Sequence, residues 1–403
     1  MIDRHLRQDY LFTSESVTEG HPDKLADRIA DSVLDDIIGQ DPAARVAVEV
    51  LVATGLVLCT GQISTRAYSD IPRIARAAIN SVGYTRAKFG FDGDTVGVLT
   101  AIDEQSPDIA RGVDTALEAR EGGEESQDPL LSLGAGDQGI MFGYACRESE
   151  TYMPLPAALA HGLCKRLAVA RKERFLPFLR PDGKSQVTIR YASGRPVHID
   201  TVLVSCQHSS DASQSDIKDG VLEAVIRKVI PREMMDGKTR VLVNPTGRFE
   251  VGGPQADSGL SGRKIIVDTY GGYCRHGGGS FSGKDPTKVD RSGSYYCRYI
   301  AKHLVAAGYC DEVEVQLSYA IGVAHPTSFD LETFGTHKVP LDKLVDLVRR
   351  HFDARPGSII RELDLRRPIY TPLSAYGHFG RDDLDLSWER LDRVQQLLED
   401  LPL

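Results

Sequence analysis

Nowhere in this chain are two cysteines separated by the two residues of a CxxC zinc knuckle or redox pair. Its seven cysteines (Cys59, Cys146, Cys164, Cys206, Cys274, Cys297, Cys310) are odd in number and widely spaced, which fits reduced thiols in a cytoplasm rather than a disulfide framework. Apolar runs of membrane-spanning length are also missing, and the opening MIDRHLRQDYLF lacks the apolar centre of a signal peptide. A membrane location is therefore not expected. Basic charge is in deficit, with a formal net charge of -9, which argues against a general nucleic-acid or membrane-surface binder. Tryptophan is nearly absent: Trp388 stands alone in a tail from Pro368 to Leu403 that shows no chemistry of its own. No internal repeat is visible by residue matching. What remains is an ordinary soluble composition, and 403 residues suffice for two or three domains.

The first informative segment is SESVTEGHPDKLADRIADSVLDDII, where Leu25, Ile29, Val33 and Ile37 recur every four residues. The spacing predicts an amphipathic helix with Pro22 in its first turn and His21 and Asp23 at the positive end of its dipole. VAVEVLVA and LVLCTGQIS, parted by Thr54-Gly55, predict a hairpin, with Glu49 on the polar side of its strand. A helix follows Pro72 and ends at Gly83, and TVGVLTAID predicts a strand. From Glu118 to Ser132 the chain turns acidic and loses apolar periodicity, which predicts a mobile connector. GAGDQGIMFGYA predicts a glycine turn around Asp137 entering a strand, and Leu155, Leu159, Leu163 and Leu167 a long helix. LRPDGK reads as a turn, with Lys184 at the start of a hairpin folded about Ser193-Gly194. Val221 to Ile230 reads as a helix and Val241 to Asn244 as a strand; VEVQLSYAIGVA, SFDLETF and the helix around LDKLVDLVRRHF close the pattern.

The densest chemistry lies in GGGSFSGKDPTKVDRS, Gly277 to Ser292, between the strand-like run KIIVDTY and a helix from Tyr295 to Ala307. Glycines allow close backbone approach to a ligand, and Lys284 and Lys288 suit a polyphosphate. Gly278, Gly283 and Lys284 keep the GxxxxGK spacing of a Walker loop, but Asp285-Pro286 replaces the Ser or Thr that holds magnesium there. A different polyphosphate loop is the better reading. Just upstream, Arg248, Phe249, Asp257, Arg263 and Lys264 sit in glycine-rich loops, where an aromatic face can stack a base and paired cations can hold phosphate oxygens.

Taken together, EGHPDK, GAGDQG, NPTGRF, GLSGRKIIVDTYGG and HGGGSFSGKDPTKVDRS resemble S-adenosylmethionine synthetase in order and spacing, from about Leu11 to Arg381. The resemblance implies an α/β (α+β type) fold of three similar domains, each a mixed β-sheet backed by helices and related by a pseudo-threefold. The expected spans are 10–108, 133–250 and 251–390. It implies ATP and L-methionine as substrates, Mg2+ (two per site) and K+ as cofactors, and a dimer or dimer of dimers with active sites between subunits. By position, His21, Lys184, Arg263 and Lys284 resemble the catalytic set. Asp182, Gly183, Arg248, Phe249, Asp257, Lys264 and Ser280 join them at ATP. Gln62, Gln105, Asp137, Asp257 and Lys288 resemble the methionine contacts, Asp23 and Asp290 the magnesium ligands, and Glu49 the potassium ligand.

One departure stands out, since Gln62 replaces a glutamate of many family members. Gln keeps an acceptor but loses the charge toward the methionine ammonium, a difference of roughly 1 kcal/mol, and Asp257 is expected to carry the ammonium instead. Two other readings stay open: an ATP-dependent phosphotransferase, against which Asp285-Pro286 argues, and a non-catalytic nucleotide-binding protein.

Overall fold

The structure, a computed structural model, describes residues 9–106, 113–121 and 128–403. Eleven strands form three sheets among the described residues. The chain passes three times through one pattern of strand, long helix, hairpin, helix and return strand. The first pass is β1 (Asp9–Val17), α1 (Pro22–Gln40), β2 (Arg45–Ala53), β3 (Leu56–Ser64), α2 (Ile71–Val82) and β4 (Gly97–Asp103). The second is β5 (Gly139–Cys146), α3 (Leu155–Lys172), β6 (Leu179–Ala192), β7 (Arg195–His208), α4 (Gln214–Val221) and β8 (Arg240–Val243). The third is β9 (Gly259–Leu260), α5 (Val289–Ala306), β10 (Glu312–Tyr319), β11 (Ser328–Glu332) and α6 (Leu341–His351), without a return strand.

The leading strand of each pass leaves its own sheet and joins another. The sheets are β9-β2-β3-β4, β1-β6-β7-β8 and β5-β10-β11, so β1 pairs with β6, β5 with β10 and β9 with β2. The returns β4 and β8 run parallel to β3 and β7 because a helix carries the chain back across the sheet. Each long helix covers the hairpin strand and the borrowed strand together: α1 lies on β2 and β9, α3 on β6 and β1, α5 on β10 and β5. This is the pseudo-threefold of three sheets backed by helices; two of the sheets are mixed as expected, but β5-β10-β11, which lacks a return strand, is wholly antiparallel.

Strand alternation sets the faces. In β2, Val46, Val48, Val50 and Val52 are buried beneath α1, whereas Glu49 faces outward and is exposed. None of the seven cysteines forms a disulfide, and six are buried. No described helix is long and apolar enough to cross a membrane.

Several expectations are corrected. KIIVDTY is not a strand: Ile265–Asp268 is a single helical turn. Lys264 reaches Asp23 and Asp268 reaches Lys24, each at 2.5 Å. Neighbouring residues of α1 thus hold both ends of the turn, where positions four apart lie on one side. LRPDGK is not a turn either, because β6 already starts at Leu179 and shifts register against β7 before Gly183, leaving Lys184 inside the strand. The helix expected from Tyr295 begins at Val289, and that expected from Val221 begins at Gln214 and continues through a π-helical turn, Leu222–Ile226. In the expected connector, Leu117–Glu121 is helical, and residues 122–127 lie outside the described residues. The tail is core: Trp388 is fully buried, its ring centroid 3.9 Å from that of Tyr295.

Candidate active site

The N-terminus of α1 collects the first group. His21 is the N-cap, and its Nδ1 accepts the Asp23 N–H at 3.2 Å, as expected for a residue before Pro22 at the head of a helix. Burial, reinforced by the Lys264 and Lys184 ammoniums, pulls the His21 pKa down to about 3. The ring is therefore neutral at pH 7 and, with Nδ1 accepting, carries its proton on Nε2. Asp23 receives the Leu260 N–H at 3.0 Å, pairs with Lys264 at 2.5 Å and lies 3.7 Å from Arg263. These contacts outweigh its burial and hold its pKa below the ordinary carboxylate value. Gly20 lets this segment lie against β6, where any Cβ would stand 2.3 Å from the Pro181 carbonyl oxygen.

The second group is the glycine loop, laid along the edge of β2. Val48 N–H donates to Gly283 O and Asp285 N–H to Val46 O, each at 3.0 Å. Within the loop Lys284 pairs with Asp290 at 2.7 Å, and Lys288 with the fully buried Asp285 at 2.6 Å. The GAGDQG turn seats on this loop through the Gly136 N–H to Thr287 O at 3.0 Å, which leaves Asp137 exposed beside it. A Cβ on Gly262 would lie 2.7 Å from the Ser280 Cβ, so the segment carrying Arg263 and Lys264 touches the loop carrying Lys284.

The third group borders the first. Asp182 is buried and accepts the Gly253 N–H at 2.8 Å through Oδ2, while its Oδ1 has no hydrogen-bond partner among the described residues. Burial pushes its pKa up to about 6, against the pull of Lys184. Gly253 abuts Tyr84, whose hydroxyl donates to Gly20 O at 2.6 Å, one residue from His21. On the same segment Asp257 is exposed, Arg248 is paired with Glu250 at 2.7 Å, and the Phe249 N–H donates to His208.

Not everything converges. Glu49 and Gln62 stand exposed on the outer face of their sheet, with Glu49 opposite Thr60 and Gln62 between Ala47 and Asp103. Gln105 follows β4, its N–H on Ser64 Oγ at 3.1 Å. The sequence reading missed a buried set behind the loops. Arg291 makes two 2.8 Å bonds to Asp31, Lys24 bridges Asp27 and Asp268, and Asp285 anchors Lys288. The regular spacing of Asp23, Asp27 and Asp31 was the available signal.

A pseudo-threefold α/β protein whose glycine loops bring lysines, carboxylates and one neutral imidazole together defines a class, enzymes that act on a polyanionic substrate. Family models of S-adenosylmethionine synthetase match the chain in three pieces: the N-terminal domain over residues 9–107, the central domain over 132–249 and the C-terminal domain over 251–390. The chain belongs to the S-adenosylmethionine synthetase family, the methionine adenosyltransferases, which form S-adenosylmethionine from ATP and L-methionine.

Proposed function

We propose that the three groups around the head of α1 form the site of adenosyl transfer, in which the methionine sulfur attacks ATP C5′ and displaces the whole triphosphate. The observation that carries the assignment is the contact between the two cationic loops beside a neutral, buried His21. Sulfur is already a capable nucleophile, so the protein must align it and stabilise charge growing on the leaving oxygen. His21 Nε2–H donates to that oxygen or the neighbouring phosphate. Lys184, Arg263, Lys264 and Lys284 neutralise the triphosphate. Asp182, with its vacant Oδ1, takes a donor from the nucleoside, with Arg248, Phe249 and Ser280 on the same side. Methionine is assigned to Asp137, Asp257 and Lys288 together with Gln62 and Gln105, which do not converge with the three groups within one chain; Lys288 must then exchange Asp285 for the substrate carboxylate. The triphosphate is hydrolysed to pyrophosphate and phosphate before release.

Asp23 and Asp290 offer hard oxygen donors that fit Mg2+, which when bound supplies positive charge to the phosphate oxygens. Each is paired with a lysine meant for phosphate, Asp23 with Lys264 and Asp290 with Lys284. Binding on this reading is an exchange of partners rather than the filling of a bare cationic pocket. Glu49 offers K+ one exposed carboxylate, and nowhere among the described residues, the aspartates above included, do three His, Cys, Asp or Glu side chains converge as a metal site. Self-association fits the outer sheet faces, where Leu99 on β4 is 58% exposed and Leu11 on β1 56%. It would bring a second chain against Glu49 and Gln62.

The test is product analysis after incubation with ATP, methionine, Mg2+ and K+. S-adenosylmethionine with equal pyrophosphate and phosphate is expected. ADP without a sulfonium product would mean a phosphotransferase, and binding without turnover a non-catalytic protein. His21→Asn should lower kcat by about 100-fold or more.

A further inference from the structure

Asp23, Asp27, Asp31 and Asp35 recur every four residues along α1 and form one slowly winding stripe. Each accepts a backbone N–H from a segment far away in sequence. Asp23 takes that of Leu260 at 3.0 Å, Asp27 that of Gly262 at 2.8 Å and Asp31 that of Gly283 at 2.8 Å. Asp35 takes those of Tyr370 at 2.9 Å and Thr371 at 2.7 Å. Like charges four apart on a helix repel. Here the first three are offset by Lys264, Lys24 and Arg291 at 2.5, 2.7 and 2.8 Å.

Gly262 directly precedes Arg263, and Gly283 directly precedes Lys284. We infer that Asp27 and Asp31 are positioning residues for the polyphosphate site, pinning the backbone one residue before each cation to the helix that carries His21 and Asp23. The inference rests on the reading of that site given above. Loops with glycines at 259, 262, 277–279 and 283 have many conformations available. Anchoring them on a rigid, buried helix fixes the separation of Arg263 and Lys284 from His21 before any ligand arrives. Asp35 performs the same chemistry on the C-terminal segment, where the Tyr370 ring centroid lies 4.2 Å from the Arg291 guanidinium, but it pins no backbone next to Arg263 or Lys284 and so provides an internal control.

The experiment compares Asp27→Glu, Asp31→Glu and Asp35→Asn by thermal unfolding, by KM for ATP and for methionine, and by calorimetric binding of inorganic tripolyphosphate with Mg2+. The glutamates keep the charge but displace the carboxylate by one methylene. Asp27→Glu and Asp31→Glu should weaken tripolyphosphate binding and lower kcat by about tenfold or more, with the methionine KM within about twofold. Asp35→Asn should lower the Tm and leave tripolyphosphate affinity within about twofold. Unchanged affinity in the folded glutamate variants, or an equal loss in Asp35→Asn, would overturn the inference. Should either glutamate variant fail to fold, amide exchange of the wild-type protein decides: peptides covering 259–264 and 281–285 must be protected without ligand, and rapid exchange there refutes pinning. Wild-type protein that binds no tripolyphosphate would instead overturn the reading of the site itself.

Discussion

Two glycines of one loop should respond very differently to the same substitution. Gly278 and Gly283 both have left-handed backbones, with φ of +94° and +77°. A Cβ on Gly278 would meet nothing within 4 Å, whereas one on Gly283 would stand 1.9 Å from the Val48 carbonyl oxygen. Gly278→Ala therefore costs only the left-handed conformation, about 1–2 kcal/mol. Gly283→Ala costs that and also forces the loop off β2. The Val48 N–H then loses its partner at 3.0 Å, about 1–3 kcal/mol, and Asp31 loses a charged hydrogen bond at 2.8 Å, about 1.5–3 kcal/mol. The expected loss is about 4 kcal/mol or more, with a fall in kcat because Lys284 moves with the loop. Urea unfolding and steady-state kinetics of both variants are the assay. Equal losses in the two, or a Gly283→Ala loss below about 2 kcal/mol, would refute the argument.

Three further outcomes are expected. The His21 ring should show no NMR titration between pH 5 and 8. Because it binds its proton near pH 3 when folded and near 6.5 when unfolded, stability linked to it is complete above pH 6.5 and lost as pH falls toward 3. Asp182, its pKa raised to about 6, makes the opposite contribution: the fold favours its protonated form, and stability is lost as pH rises through 6. Asp182→Asn should accordingly leave resistance to urea at pH 8 unchanged or higher, while the KM for ATP rises by about tenfold. Lys288→Met strands the fully buried Asp285 and should cost about 3–5 kcal/mol, whereas Lys184→Met, at an exposed position, should lower kcat with little change in stability.

The long helices and the hairpins were legible because their apolar periods are strong: α1, α3 and the β2–β3 pair lie where 3.6- and 2-residue spacing puts them. The glycine loop stood out by its glycine and lysine content, and the place of His21 at the head of α1 followed from the proline after it. What local pattern could not show was which segments meet. The passing of β1, β5 and β9 to other sheets is a long-range pairing with no local trace, and the two-residue β9 has no period at all. Ile265–Asp268 looked extended because three apolar residues in a row fit either state, and the long-range anchoring of Lys264 and Asp268 to α1 leaves no trace in local pattern. Trp388 showed no function because its role is packing against Tyr295.

The pairing of charges in the site carries one more consequence. Asp23 with Lys264, Asp290 with Lys284, and Asp285 with Lys288 leave three lysines of the two loops compensated before substrate arrives. A free polyanion would have to take the lysines and leave aspartates uncompensated in a partly buried setting, which is costly. An anion arriving with its own cations would instead exchange partners: the lysines would hold its phosphates, and Asp23 and Asp290 would hold the cations. On the proposed reading the site would favour the metal-complexed polyphosphate over the bare one by balance of charge. Binding of tripolyphosphate should therefore be much weaker in chelator than in Mg2+, and Asp23→Asn with Asp290→Asn should narrow that gap. A gap unchanged in the double variant would mean that the aspartates serve only to hold the lysines in place.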